Sequence, residues 1–365
     1  MTHNAENTPG FLLSNIPGAL GYIPQECAVI FAFERSGPEH GQCRYELGPM
    51  LRVDLPDLLT HNFLTFLDEL GADLLFAAVI GSPRAADAGV MLAERCAIED
   101  IPLAAVWHVV ELLSGARYQR VAGESTVSLG PNTSAKDCWD RGYVAEIVAA
   151  PAMVDFVRRG ELPEIDRTAS YAFLTAPHPE LSDAGRRMFS EFAVRQGESL
   201  ISAVESSEPR EAELMVDSIL DDFQEHIDAI IHEQLSVADL LEDIELLETL
   251  AVYFGNTKLR DCTLKWAVSP YAEALFTLTV ALARTGTGTL QANALCAAAL
   301  SASYLGLHYR VSQALQLAYA ADDEHRLAAL MTQALYYGAM PMLHEACHEG
   351  SLLAEASLRG SVVES

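Results

Sequence analysis

The hydrophobic period of this chain changes part-way along, and that change limits the fold more than any single motif does. Up to about residue 121 the apolar residues come in short runs of strand length: Glu26 to Glu34, Tyr45 to Asp54, Leu74 to Ile80, Leu103 to Leu112 and Tyr118 to Val121. From Tyr143 onward they recur at intervals of three and four. A two-residue period lines one face of a strand and a 3.6-residue period one face of a helix. The first half is therefore expected to build a sheet and the second to build helices.

The order of signals refines this to an α/β N-terminal layer with a mixed sheet, followed by an all-α helical bundle or short irregular solenoid. The first two strands are separated only by the turn-rich stretch from Ser36 to Gly41, which suits an antiparallel pair. The later strands are separated by helical patterns. One has Asp54 as its N-cap, Pro56 in the first turn and a stripe of Leu59, Phe63, Phe66 and Leu70 ending at Gly71. Another spans Ala85 to Ala97 after the Ser82-Pro83 break. Residues Ala122 to Asp140 read as a long loop, and Ala152 to Arg159 as a short helix stopped by Gly160. The prolines of Thr175-Ala176-Pro177-His178-Pro179 mark the domain boundary, giving an α/β domain over residues 1–178 and an all-α acidic helical domain over 179–365. Helices are expected over 181–205, 209–235 and 237–254, with Ser236 and Asp239 forming a capping box. From Pro270 to Gly338 helices are separated at Gly286 to Gly288, at Gly306 and at Asp322-Asp323, without a regular 34-residue register.

Charge sets the function classes. Residues 205 to 248 hold fifteen Asp or Glu and one basic residue, Arg210, and so supply half of the chain's formal charge of -28. Within this block Val216, Ile219, Leu220, Phe223, Ile227, Ile230 and Ile231 fall at helical spacing, which leaves the acids, Asp221, Asp222 and Glu225 among them, on the outer face. A ridge of this sign repels phosphate backbones and anionic lipid and attracts a basic protein, so neither a nucleic-acid nor a membrane partner is expected. The polar start, Met1 to Gly10, lacks a signal-peptide pattern, and the apolar runs are shorter than the ~20 residues of a membrane span, so a cytoplasmic location is expected. Seven cysteines, Cys27, Cys43, Cys96, Cys138, Cys262, Cys296 and Cys347, with no C-x-x-C pair, read as reduced thiols.

Three segments together resemble an uncharacterised actinobacterial family of unknown function. They are the opening from Leu12-Leu13 through Pro17, Leu20-Gly21-Tyr22 and Pro24 into the strand Ala28 to Phe33; the step Arg52-Val53-Asp54-Leu55-Pro56; and Gly286-Thr287-Gly288 followed by Ala292, Ala294, Leu295, Ala298, Leu300 and Tyr304. The resemblance runs from about residue 11 to 342. It implies a fold but no reaction. The family places a small Cys-rich element after the strand matched by Arg117 to Val121, whereas Gly123 to Ala135 here holds no cysteine, so the resemblance implies no metal or redox role for that region.

Several residue sets could carry chemistry. Arg52 and Asp54 alternate at a strand end, where α/β layers bind ligands, and could act as an anion clamp and an acid, base or orienting group; the structural alternative has Asp54 capping the next helix while Arg52 pairs with an acid. His344-Glu345-Ala346-Cys347-His348 matches H-E-x-x-H, which could bind zinc, but the helix reads as short, bracketed by Pro341 and Gly350, and no third ligand stands out. Gly286-x-Gly288 lacks the strand, lysine and third glycine of phosphate-binding loops and reads as a helix-to-helix connection. His226 and His232 read as solvent-facing; Trp107-His108 and Trp139 read as core aromatics or as a pocket lining. No cofactor motif is met. The expectation is a non-catalytic protein-interaction or small-ligand-binding protein. The alternatives are an enzyme acting on an anionic small molecule through Arg52 and Asp54, and a zinc enzyme through His344, Glu345 and His348.

Overall fold

Among the described residues six strands, β1 (Cys27–Glu39), β2 (Gln42–Asp54), β3 (Leu74–Ile80), β4 (Leu103–Val109), β5 (Arg117–Gly123) and β6 (Arg141–Tyr143), form one sheet in the computed structural model, in the order β2-β1-β3-β4-β5-β6. The structure describes residues 8–39, 42–123 and 139–360. β1 pairs antiparallel with both β2 and β3, β3 and β4 are parallel, and β5 and β6 add antiparallel. The sheet is mixed because a short link joins β1 to β2, while the β3–β4 link carries a helix, α3 (Pro83–Ile98), long enough for a parallel crossover.

Alternation along β1 explains its unbroken apolar run. Ala28, Ile30 and Ala32 share a core with Leu64 and Leu67 of α2 (His61–Glu69) and with Ala85, Leu92 and Cys96 of α3. Cys27, Val29, Phe31 and Phe33 share the opposite core with Leu13 and Ile16 of α1 (Pro9–Leu20), Trp107 and Trp139. A strand buried on both faces has no polar face to show. Trp107 and Trp139 are core residues: their rings lie 5.5 Å apart, Phe76 stacks on Trp107, and Trp107 Nε1 donates to the Trp139 carbonyl at 2.9 Å. On the edge strand β2, Phe31 pairs with Met50 but Phe33 with Leu47, so Gly48 and Pro49 oppose Ala32 alone. A bulge carrying a proline, which has no N–H, blunts an edge otherwise open to another strand.

One local expectation is corrected. Asp54 makes no side-chain cap; a 3₁₀ turn over Leu55–Asp57 follows it, and Thr60 caps α2 by accepting from the Phe63 amide. The Asp54 carboxylate is engaged by arginines instead. The motif Leu12 to Leu20 is itself helical: α1 starts at Pro9 with Thr8 as cap, contains Pro17 and ends at Gly21, whose φ of 77° closes the last turn onto the Pro17 carbonyl.

The chain divides into two compact units, Met1–Ser170 and Tyr171–Ser365, and the division falls inside the helix Arg167–Thr175. Pro177 and Pro179 lie in the link from that helix to Asp183–Ser206; there His178 is buried, its Nε2 donating to the Leu241 carbonyl at 2.7 Å. The second unit is an irregular helical array. Its further elements are Pro209–His232, Val237–Glu242, Ile244–Gly255, Thr257–Ala267, Ala272–Thr285, Gly288–Tyr304, His308–Ala321, Arg326–Tyr336 and Met340–Leu358. The capping box at Ser236 and Asp239 is present. The helix expected over 237–254 is broken at Asp243, whose carboxylate caps the following helix through the Leu246 amide at 2.9 Å. Gly286-Thr287-Gly288 is a helix-to-helix link, tied down by Arg186 donating to the Gly286 carbonyl and by the Thr287 amide donating to Ser190 Oγ. No described helix is long and apolar enough to cross a membrane.

α3 rests on the sheet at Gly89, where a Cβ would lie 2.9 Å from Val106 Cγ1 and 3.0 Å from Val79 Cγ2. Gly89→Val is expected to push α3 off β3 and β4 and to lower stability by about 1–3 kcal/mol. Urea unfolding followed by far-UV circular dichroism measures this; an unchanged midpoint would show that the helix does not sit this close.

Candidate functional site

β2, β3 and β4 bring their carboxyl ends to one edge of the sheet, since Cys27 at the start of β1 pairs with Asp54 and with Ile80, and Ile80 pairs with Val109. This is the edge where α/β layers bind ligands. Arg52 and Asp54 meet here, as their period-two spacing predicts, but they pair with each other. Arg52 Nη2 lies 2.5 Å from Asp54 Oδ1, and Arg167 Nη1 lies 3.2 Å from Asp54 Oδ2. The Arg52 hydrogen bond, helped by the Arg167 charge against some burial, holds the Asp54 carboxyl below its usual range. Burial pushes the Cys27 thiol up, and the neighbouring Arg52 opposes the shift. Arg52 Nε is buried and has no hydrogen-bond acceptor among the described residues. Two arginines thus converge on one carboxylate at this edge.

Beside it, the Glu26 carboxylate accepts from the Ser82 amide at 2.7 Å and from Ser82 Oγ at 3.1 Å, at the start of α3. Glu26 takes a φ of 45°, unusual for a residue with a Cβ. His108 Nε2 bonds the Gly81 carbonyl at 2.9 Å and closes the same corner. The sequence marked Ser82 only as part of a break and gave no sign that Glu26, 56 positions earlier, would reach it.

The acidic helix Pro209–His232 buries Val216, Leu220, Phe223, Ile227 and Ile230, as its spacing predicts, while Ile231 is exposed and Ile219 half-buried. Asp221, Asp222 and Glu225 lie on the exposed side. Asp222 accepts from the Tyr253 hydroxyl at 3.0 Å, and burial with this carboxylate nearby pushes the Tyr253 hydroxyl pKa up. Asp221 and Glu225 engage no partner among the described residues. His226 is half-buried and His232 exposed.

His344, Glu345 and His348 lie on one 19-residue helix, Met340–Leu358, which runs straight through Gly350 and is not the short segment expected. Gly350 faces open space and leaves the helix unbroken. His344 Nε2 is 3.0 Å from Ser303 Oγ, and burial lowers its pKa, whereas Glu345 and His348 are exposed. Among the described residues no three His, Cys, Asp or Glu side chains converge as a metal site. The Cys-poor stretch is outside the described residues from 124 to 135, as are the side chains of Cys43 and Cys138. The other five cysteines are free thiols.

One constellation had no motif to reveal it. Cys296 Sγ lies 3.5 Å from His325 Nδ1, and His325 Nε2 lies 2.8 Å from Asn293 Oδ1, the residue types of a thiol nucleophile with an oriented imidazole. The surroundings give it another role. All three residues are buried, burial pushes the Cys296 thiol up to about 12, and Arg260 donates to the same Asn293 oxygen at 2.5 Å. His325 Nδ1 also accepts the Ala328 amide, so the ring caps the helix Arg326–Tyr336. A neutral imidazole is required for that cap.

Asp54→Asn removes the charge from two half-exposed ion pairs, so it is expected to cost about 1 kcal/mol. Because the folded pKa is lowered, the stabilisation is present above 3.8 and fades as pH falls through the lowered value. The variant should therefore lose less stability on acidification than the parent, and equal losses in denaturant titrations would contradict this. For His325, burial and then the Arg260 charge lower the pKa below 6.5, so its contribution is complete above 6.5 and declines as pH falls below it. His325→Asn keeps a capping side chain without the titration. Its unfolding midpoint should vary less between pH 7.5 and 5 than the parent's, and parallel profiles would refute the assignment.

No curated protein and no solved structure matches the chain. One family model does, over residues 9–342, and its span takes in both the strand-end cluster and the acidic helix. The chain belongs to the family described as Domain of unknown function (DUF4192).

Proposed function

We propose that the protein is a non-catalytic interaction protein of the cytoplasm, whose helical unit offers the acidic face of Pro209–His232 to a basic protein partner. One observation carries this reading: Asp221 and Glu225 stand exposed, without partners among the described residues, on a helix whose opposite face is fixed by buried Phe223, Ile227 and Ile230. Unpaired carboxylates on a rigid support lose little conformational freedom on binding and attract a basic surface over a Debye length.

A second reading is a small anionic ligand at the carboxyl edge of the sheet, bound by Arg52 and oriented by Asp54. It is favoured by the buried Arg52 Nε that has no acceptor. An enzyme acting there would use the same two residues.

The discriminating experiment compares Asp221→Asn/Asp222→Asn/Glu225→Gln with Arg52→Ala/Asp54→Ala. Asparagine keeps an acceptor for Tyr253, so the first variant is expected to stay folded. On the interaction reading it binds a captured basic partner about tenfold or more weaker, and salt weakens the parent in the same way. Affinity insensitive to both treatments would sink that reading. Loss of a small-molecule thermal shift in the second variant, with its fold retained, would move the function to the strand-end cluster.

A further inference from the structure

The helix Met340–Leu358 docks with the opposite polarity to its neighbours. It buries Ser351 to 1% and Glu355 to 3% exposure, yet leaves Leu352 at 47% and Leu353 at 54%. An amphipathic helix held by the hydrophobic effect would do the reverse. Its seam is a row of polar contacts. His344 bonds Ser303, Ser351 Oγ donates to the Asp261 carbonyl at 2.6 Å, Glu355 pairs with Lys265 and with Arg359 at 3.6 Å, and Arg359 Nη2 reaches Asp217 at 2.8 Å. The fully buried apolar side chains of the seam are Met340 and Leu343 at its start; Cys347, Ala354, Ala356 and Leu358 are half-buried. By contrast, Gly288–Tyr304 is buried on nearly every side. The family match ends at residue 342, near the start of the helix, so the polar seam lies beyond the matched region.

We propose that Met340–Leu358 is a charge-held strap that detaches from the helical unit as a separate step, uncovering the surface formed by Lys265, Asp261 and Ser303. Breaking the Lys265–Glu355 pair leaves the buried Glu355 carboxylate with only the longer Arg359 contact at 3.6 Å, which weakens the seam. An element with few buried apolar contacts also opens below the free energy of global unfolding.

Hydrogen exchange by mass spectrometry on the full chain tests this, with peptides from 340–358 compared with peptides from 288–304. In the unaltered protein the strap amides should exchange at denaturant concentrations where 288–304 stays protected, and faster as salt rises. In Glu355→Gln they should exchange about tenfold faster or more, with 288–304 unchanged. Exchange of both segments together in the unaltered protein would overturn the proposal, and so would strap protection that salt does not alter. The unaltered protein decides the matter even if the variant fails to fold.

Discussion

Cations are scarce in this chain, 23 Lys and Arg against 51 Asp and Glu, and the arrangement of the rest depends on where those few are committed. Many are clamps. Arg52 and Arg167 gather the end of β2 and the helix Arg167–Thr175 onto one carboxylate. Arg186 and Arg284 hold backbone carbonyls at Gly286 and Ala176, Arg260 holds Asn293, and Lys265 holds Glu355. Arg310, also buried, lies over the rings of Phe173 and Tyr309 and donates to Gln313 Oε1 at 3.2 Å. A guanidinium can be desolvated in this way because its planar face stacks while its edge still donates. With these cations used inside each unit, the surplus carboxylates stay on the surface, the acidic face of Pro209–His232 among them.

The two polar clusters that look most like active sites fit the same account. In the Cys296–His325–Asn293 set the imidazole is committed to a helix cap and the thiol is held protonated by burial, so the geometry of nucleophilic catalysis serves packing. The strand-end cluster is less closed. Its orphan Arg52 Nε and the unusual backbone at Glu26 leave unfilled bonding capacity at the edge where such sheets bind ligands.

Most of the fold was legible in the sequence because two periods carried it. β3 spans Leu74–Ile80, the limits of its apolar run, and the mixed sheet followed from which strands had a helix between them. Where local chemistry competes with period, reading failed. The prolines of α1 hid a helix, and Asp243 broke another while capping its successor. Asp54 carried a capping signal that two arginines overrode, one of them 113 positions away. Distance in sequence hid the site contacts generally: nothing local joins Glu26 to Ser82 or Cys296 to His325. Gly350 looked like a stop, but a glycine in open space only weakens a helix.

The most direct test of the account separates clamp charges from surplus charges by their effect on stability. Denaturant midpoints of Arg260→Gln and Lys265→Gln would be compared with those of Asp221→Asn and Glu225→Gln at low salt. A clear loss is predicted for each cation, because each removes a charge-assisted contact from a buried partner. No loss, or a small gain from relieved repulsion, is predicted for each acid. Equal losses in the two sets, or loss confined to the acids, would contradict it.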